Sequence, residues 1–478
     1  MSGEELESRL GAAASVAAAR AALSGRGDAW IVGGAIRNAL LDEEVRDIDL
    51  AVAPGDEQDA ARRIARAVEG YAFPLSEEHA TWRAVAADEE WHADVSALRA
   101  ESIEADLGAR DFTINAIAVP LAGGEPIDPA GGIADADARF LRAVSTRAFA
   151  DDPLRLLRAA RIAARHALQF DPETASLARE AAPRAADPAG ERQFAELRGI
   201  VGGPDPLRGI DLMDELRITA VVMPELDGLR GVIQNPNHHL DVHGHTLAVL
   251  ERLLEIERNL PRFAGESADG VRKLMAEPLA DELTRAEALR FGALLHDIGK
   301  PQTRAEQGQF VTFIGHDQVG AEIIATICKR LRTSRRLSSH LQALAQHHLR
   351  LGFMVHQRPL SRRSVYEYLS ATEPVCADVT LLTAADRLAA RGEGPLASDE
   401  MIEAHLELVR EILPDAIAWQ AEPPRPPLSG NELAAEIGLQ PGPDMGRILE
   451  ELRAASFAGE IAGREDAVTL ARSLATEG

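Results

Sequence analysis

WIVGGAIRNALLDEEVRDIDLAV, residues 30–52, is the stretch from which the rest of the chain can be read. Trp30, Ile31 and Val32 form the end of a buried strand. Gly33 and Gly34 then make a turn tight enough for backbone N–H groups to approach a phosphate. Residues 35–41 read as a short helix with Arg37 near its start. Asp42, Glu43 and Glu44 break the apolar run, and residues 45–52 read as a second strand. Side chains alternate across a strand, so Asp47 and Asp49 share one face while Ile48 and Leu50 turn to the core. Two carboxylates about 7 Å apart along a strand suit divalent cations, and phosphoryl transfer by two metals needs such a pair. A glycine pair after a strand is common, and so is Asp-x-Asp on a solvated face. The order strand, Gly-Gly, helix with Arg, strand with Asp-x-Asp is far more specific.

That order resembles the nucleotidyltransferase superfamily that includes DNA polymerase beta. Within it, GGAIRNALL followed by DID is similar to the signature of class II tRNA nucleotidyltransferases and bacterial poly(A) polymerases. The family usually has Asp where this chain has Asn38, and Gly where it has Asp42. Neither departure touches the carboxylate pair. The resemblance implies that Asp47 and Asp49 hold Mg²⁺ and that Gly33, Gly34 and Arg37 cradle the phosphates.

Composition bounds the rest. A chain of 478 residues has room for three or four domains. Its hydrophobic content of 46% is ample for packed cores, but at 4% aromatic those cores rest on Ala, Leu, Val and Ile. No run of 18 apolar residues exists, so no membrane span is expected. The opening MSGEELESRL is unlike a secretory or transit signal, and two cysteines, Cys328 and Cys376, make no disulfide framework. A cytoplasmic protein is expected. The net charge of −25 argues against a general nucleic-acid coat, yet phosphate contacts are local. Between Arg139 and Arg208 twelve arginines face nine carboxylates, which marks one RNA-facing candidate in an otherwise acidic chain.

Residues 1–25 read as one Ala-rich amphipathic helix, and residues 58–68 as another. YAFPL, TWRAVAA and WHADVSAL read as short strands, the last carrying Asp94. By resemblance Asp94 suits the third catalytic carboxylate or a neighbour of it. DLGARDFTINAIAVP, residues 106–120, is similar to the family's second motif, with Ala109 in place of its first Arg. The resemblance places Arg110, Asp111 and Asn115 beside the nucleotide's triphosphate and ribose. A helix N-cap is the ordinary reading of Asp111. Residues 127–144 fit the family's flexible loop, with Asp128, Gly131 and Gly132 as a hinge between nucleotide specificities.

DDPLRLLRAARIAAR, residues 151–165, carries a second pattern. Asp152 suits an N-cap and Pro153 the first helical position. Arg155, Arg158, Arg161 and Arg165 make one helical stripe with no Glu at i+4 to neutralise it. Such a stripe is ordinarily a solvated face. This one begins beside an Asp–Arg pair, and the stretch resembles the Glu-Asp-x-x-Arg motif of class II enzymes, with Asp151 in place of the Glu. The resemblance implies that Asp152 and Arg155 act as a protein template for the incoming C or A, with Arg158 and Arg161 in the same nucleotide site. Carboxylate acceptors and forked Arg donors suit base edges. Glu191, Arg192 and Glu196 in GERQFAELRGIV match the next family motif, which braces the neck helices.

Farther on, His245, the adjacent pair His296–Asp297, and Asp386 occur in the order of an HD metal-dependent phosphohydrolase domain. Imidazoles and carboxylates are suitable ligands for a divalent metal, here Mg, Mn or Ni. His316, and His347 or His348, are further candidate ligands. AEPPRPPLSG, residues 421–430, is a Pro-rich linker, and the tail reads as short helices around GLQPGPDMG. That tail resembles the C-terminal module of longer bacterial enzymes, which touches RNA or packs on the HD domain.

The expected class is α+β. A polymerase-beta-like nucleotidyltransferase head with a mixed sheet (1–148) precedes an all-helical neck (149–235), HD domain (236–420) and C-terminal module (421–478). The expected reaction is template-independent addition of C, C and A from CTP and ATP to the 3′ end of tRNA, with pyrophosphate release. The alternatives are A-only or CC-only addition, poly(A) synthesis, and an HD phosphohydrolase with a degenerate head. No obligate protein partner is evident.

Overall fold

The computed structural model describes residues 3–76, 80–308 and 310–476. The chain divides into two compact units at the Val222–Met223 bond.

The first unit opens with two helices, α1 (Gly3–Gly11) and α2 (Ala14–Ala22), rather than the single helix expected. The break re-aims the apolar face, so that Leu6 and Leu10 are buried from α1, and Val16 and Ala19 from α2. The strand of Trp30 is β1 (Ala29–Val32), followed by α3 (Gly34–Leu40). The strand of Asp49 is β2 (Ile48–Val52), three residues shorter than the 45–52 expected from sequence. Asp47 sits just before it, where the chain leaves the acidic turn. After α4 (Glu57–Ala67) come β3 (Tyr71–Ser76), β4 (Thr81–Val85) and β5 (His92–Ala97), then α5 (Ile103–Gly108) and β6 (Ala118–Pro120).

These strands form one mixed sheet in the order β3-β4-β5-β2-β1-β6. Within this sheet, among the described residues, only β2 and β5 run parallel, joined through the α4 connection and the β3–β4 hairpin. Ile31, Ile48, Leu50 and Val95 are buried on the core side. The opposite side carries the polar residues. Register aligns Asp49 with Asp94, and Asp94 with Arg83, so a charged row crosses three strands.

Residues 127–144 are ordered around α6 (Gly132–Asp137) and β7 (Phe140–Leu141). The Asp128 carboxylate accepts the backbone N–H groups of Gly132 and Ile133 at 2.7 and 2.9 Å, anchoring the start of α6. The arginine stripe follows α7 (Ala148–Asp151), on α8 (Arg155–Arg165). Asp152 lies in the break between them and accepts the Leu154 N–H, so it caps locally while the helix itself starts at Arg155. After β8 (Gln169–Phe170) and α9 (Pro172–Ala181), α10 (Gly190–Val201) and α11 (Pro206–Glu215) pack on α8. Gly209 lets α11 come close, since a Cβ there would lie 2.5 Å from Ile200.

The second unit is helical, with two small antiparallel ribbons that the all-helical expectation did not include: Pro278–Ala280 with Leu283–Thr284, and Ala305–Gln307 with Phe310–Thr312. Helices Val242–Arg258, Arg285–Leu295, His316–Arg330, Arg335–His347 and Cys376–Ala389 surround the histidine cluster. The tail helices Gly430–Ile437, Pro443–Ala458 and Arg464–Thr476 build a small core on Leu433, Ile448 and Leu452. They pack on the same unit through Phe457 against Tyr366 and Trp419, and Arg363 against Glu460. Among the described residues no helix is long and apolar enough to cross a membrane.

Candidate active site

Gly33 is held at φ 71° between β1 and α3, a conformation for which glycine has no steric penalty. A Cβ on it would lie 2.9 Å from Asp49 Oδ2 and 3.4 Å from Arg110 Nη1. The glycine therefore lets the carboxylate, the guanidinium and the turn converge. Burial pushes the Asp49 carboxyl up, and the charge of Asp94 pushes it further, against the pull of Arg110 and the Gly34 N–H. Asp49 keeps an exposed surface, but the protein atoms packed around its carboxylate remove much of its hydration.

A cleft of about 390 Å³ opens on this point. Gly33, Gly34, Arg37, Asp49, Arg110, Asp111, Asn115, Asp152, Arg155, Arg158 and Arg161 all line it, so the structure gathers most of the residues singled out in sequence. Asp47 and Asp94 do not. Asp47 lines a second cleft, of about 500 Å³, which meets the first at Gly34 and Asp49. Asp94 lies beside Asp49 on the next strand and receives Arg83 Nε and Nη2 at 2.7 and 2.8 Å.

The cleft is wired internally. Arg37 Nη1 donates to Asn115 Oδ1 at 2.9 Å, and Asn115 Nδ2 donates to Asp111 Oδ1 at 3.0 Å. Burial, with Arg161 nearby, lowers Arg37 to about 10. Asp111 is no helix cap: among the described residues the one backbone N–H its carboxylate accepts is that of the next residue, Phe112, and Arg158 approaches its other oxygen at 3.4 Å. Burial raises its carboxyl, but Arg158 and the two hydrogen bonds outweigh this and the net direction is down. Arg110 is fixed by Asp106 at 3.0 and 3.1 Å. Arg155 donates to the carbonyls of Ala109, Arg110 and Ala148. That leaves its Nε–H and one Nη2–H as an uncommitted donor edge among the described residues.

The middle of the stripe on α8, Arg158 and Arg161, is neutralised from another helix. Glu196 on α10 is buried and accepts Arg158 Nε at 3.1 Å and Arg161 Nε at 2.5 Å. Arg192 reaches Asp152 at 3.2 Å. The GERQFAE stretch thus positions the arginines and Asp152 directly. Sequence reading passed over Arg83, Asp106 and His92. The last bonds Asp47 Oδ1 through its backbone N–H at 2.8 Å and lies 2.9 Å away through Nδ1. The signal for Arg83 and His92 is a charged or polar residue on a strand next to one already carrying a carboxylate, and for Asp106 its place four residues before Arg110.

The second unit assembles its own centre. His245 Nε2 lies 2.9 Å from Asp386 Oδ1. Asp297 lies 3.2 Å from His296, 3.3 Å from His316 and 3.6 Å from His348, all through Nε2. His245, His296 and Asp386 form one potential metal-binding group, and Asp297, His316 and His348 a second, each with ligand atoms within 4.8 Å of one another. Of the two histidines at 347–348, His348 belongs to the centre, whereas His347 Nδ1 accepts from Arg350. Lys300 Nζ sits 2.6 Å from Asp297 and donates to Gln234. Burial raises the carboxyls of Asp297 and Asp386, yet the surrounding cationic groups hold both well below their ordinary value.

This head fold, with its carboxylates at the meeting of two clefts, defines a nucleotidyltransferase of the polymerase-beta type. Residues 29–142 match the poly A polymerase head domain, residues 167–229 the probable RNA and SrmB-binding site of polymerase A, and residues 242–391 the HD domain. The A-adding tRNA nucleotidyltransferase of Deinococcus radiodurans is 35% identical over 94% of this chain and 96% of its own. The CC-adding tRNA nucleotidyltransferase of Thermus thermophilus is 32% identical over 92% of each. A solved CCA-adding enzyme in its apo form I superposes with a TM-score of 0.61 at 19% identity, covering 95% of this chain and 92% of that one. The chain is an enzyme and belongs to the class II CCA-adding and poly(A) polymerase family, as a member that carries an HD domain.

Proposed function

We propose that this enzyme adds C, C and A from CTP and ATP to the 3′ end of tRNA, without a nucleic-acid template and with release of pyrophosphate. The observation that carries the reading is the convergence of Gly33, Asp49 and Arg110 at the mouth of an arginine-lined cleft. Asp47 and Asp49 line one cleft and Asp94 is the register partner of Asp49, so the pair fits Mg²⁺, whose charge would offset the burial and like charge that push the Asp49 carboxyl up. When bound, Mg²⁺ supplies charge stabilisation for the attacking and leaving oxygens.

The chain's own groups do the rest. The Gly33–Gly34 turn, Arg37 and Arg110 hold the triphosphate. Asp111 accepts from the ribose hydroxyls, and Asn115 ties it to Arg37 so that sugar and phosphates are set together. Asp152 and the donor edge of Arg155 read the base. A 3′-oxygen attacks the α-phosphorus, the bond to the β-phosphate oxygen breaks, pyrophosphate leaves, and the hydroxyl proton passes to solvent. With tRNA as its substrate, the enzyme works in the cytoplasm.

A second reading, addition of A alone, is favoured by the 35% identity to an A-adding relative. The test uses tRNA ending before CCA, after C and after CC, each with CTP, ATP or both. Two C additions, one A and a stop support the full reaction. Extension of the CC end alone supports the second reading, and long A tails on any RNA overturn both. The donor set in the second unit favours a further, metal-dependent phosphohydrolase activity there, with a divalent ion such as Mg²⁺, Mn²⁺ or Ni²⁺. Hydrolysis of cyclic nucleotides or phosphomonoesters that survives Asp49→Ala but not Asp297→Asn tests it.

A further inference from the structure

Arg165 differs from the other arginines of its stripe. Arg155, Arg158 and Arg161 line the first cleft and are committed to carbonyls or to Glu196 and Asp111. Arg165, one turn farther along α8, lines the second cleft with Asn38, Arg46, Asp47, Asp49 and His92. It is exposed and has no hydrogen-bond or ion-pair partner among the described residues. Arg46, the other arginine of this cleft, is already paired with Glu44 at 2.9 Å, and Glu43 is 2.6 Å from His166. Arg165 is thus the uncommitted guanidinium on this side of the carboxylates.

The two clefts succeed each other along both β2 and α8. The first takes Asp49, Leu50 and Ala51 with Arg155 to Arg161, and the second takes Asp47, Ile48 and Asp49 with Arg165. In a phosphoryl transfer the attacking and leaving oxygens lie roughly in line across the phosphorus. With the triphosphate in the arginine-rich first cleft, the attacking hydroxyl must arrive from the other side of Asp49, which is the second cleft. Resting on the nucleotidyl-transfer reading, we propose that the second cleft receives the 3′-terminal nucleotide of the RNA acceptor and that Arg165 binds the phosphate behind it. His92, whose backbone N–H donates to Asp47 Oδ1 and whose ring Nδ1 lies 2.9 Å from the same oxygen, keeps that carboxylate turned toward the incoming hydroxyl.

The test is steady-state extension of a CC-ended tRNA with ATP by wild type, Arg165→Ala and Arg165→Lys. Extension by the wild type tests the function itself, separately from this assignment. Arg165→Ala should raise KM for tRNA about tenfold, leave KM for ATP within about twofold, and make the log–log salt dependence of tRNA binding shallower by about 0.7, the loss of one single-strand phosphate contact. Arg165→Lys should restore the salt slope and part of KM. A tRNA KM and salt slope unchanged by Arg165→Ala overturn the proposal, as does a KM change confined to ATP.

Discussion

Asp49 and Asp94 are register partners on the parallel strands β2 and β5, and their carboxylates share one face of the sheet. They are not equivalent. Both oxygens of Asp94 are taken by Arg83, whereas Asp49 faces the two clefts. Asp94 then acts mainly through its field on Asp49, and Arg83 tempers that field. Asp49→Ala should lower single-turnover incorporation by more than about 10³-fold, the scale of a lost metal ligand worth several kcal/mol. Asp94→Asn should cost about 10–100-fold, as for a group that tunes a ligand rather than being one. Equal losses in the two variants would show Asp94 to be a full ligand.

How much of this was legible follows from what each feature depends on. The strand, glycine turn, helix and Asp-x-Asp strand are local periodicities, so residues 30–52 reported them almost correctly, save that β2 starts at Ile48. The Arg83–Asp94 pair depends on register across a hairpin, which no local pattern fixes. Glu196 neutralises arginines 35 and 38 positions away, so an i+4 search could not find it. Asp111 resembled a cap because an Asp before a short apolar run ordinarily is one. Here burial and Arg158 claim the carboxylate instead. His347 and His348 are neighbours on one helix, about 100° apart around its axis, and only tertiary packing selects the inward one.

Glu196 is the hinge of the arginine stripe. Glu196→Gln preserves its size but leaves Arg158 and Arg161 without their shared counter-charge. Because both arginines keep partial exposure, at 33% and 28% of their side chains, the stability cost should be about 2 kcal/mol, below that of a fully buried broken pair. The nucleotide KM should rise while Arg158 loses its orientation toward Asp111. A denaturant melt together with KM for CTP and ATP checks both. A variant that loses stability with an unchanged nucleotide KM would confine Glu196 to a packing role.

The glycine pair should respond asymmetrically. Gly33→Ala forces a Cβ to 2.9 Å from Asp49 Oδ2 in a backbone region that L side chains rarely adopt. Stability should fall by about 2 kcal/mol and incorporation by more than about 100-fold, because the carboxylate itself must move. Gly34→Ala meets only the Arg37 guanidinium, at 3.5 Å, and should be much milder. Rates and melts of the two variants side by side give the comparison, and equal damage would count against the carboxylate contact.

In the second unit, His348→Ala should lower the amount of Mn²⁺ or Ni²⁺ retained after dialysis, because His348 stands 3.6 Å from Asp297. His347→Ala should leave it unchanged, since that ring is engaged by Arg350. Metal content by elemental analysis decides between them. Retention insensitive to both substitutions would remove His348 from the ligand set.

His166 makes stability of the first unit pH-dependent. Its ring is buried against Glu43, with Nδ1 and Oε1 2.6 Å apart. Burial, reinforced by the charge of Arg37, lowers it from 6.5 to about 4, although Glu43 pulls the other way. The unfolded chain therefore binds a proton between pH 6.5 and about 4 that the folded chain refuses. The histidine's contribution is complete above pH 6.5 and is lost as pH falls toward about 4. Urea midpoints of wild type should drop steadily over this range. His166→Gln, which cannot protonate, should flatten the profile there while remaining less stable at pH 7.5 through its poorer fit. A variant as pH-sensitive as wild type would assign the acid sensitivity to other groups.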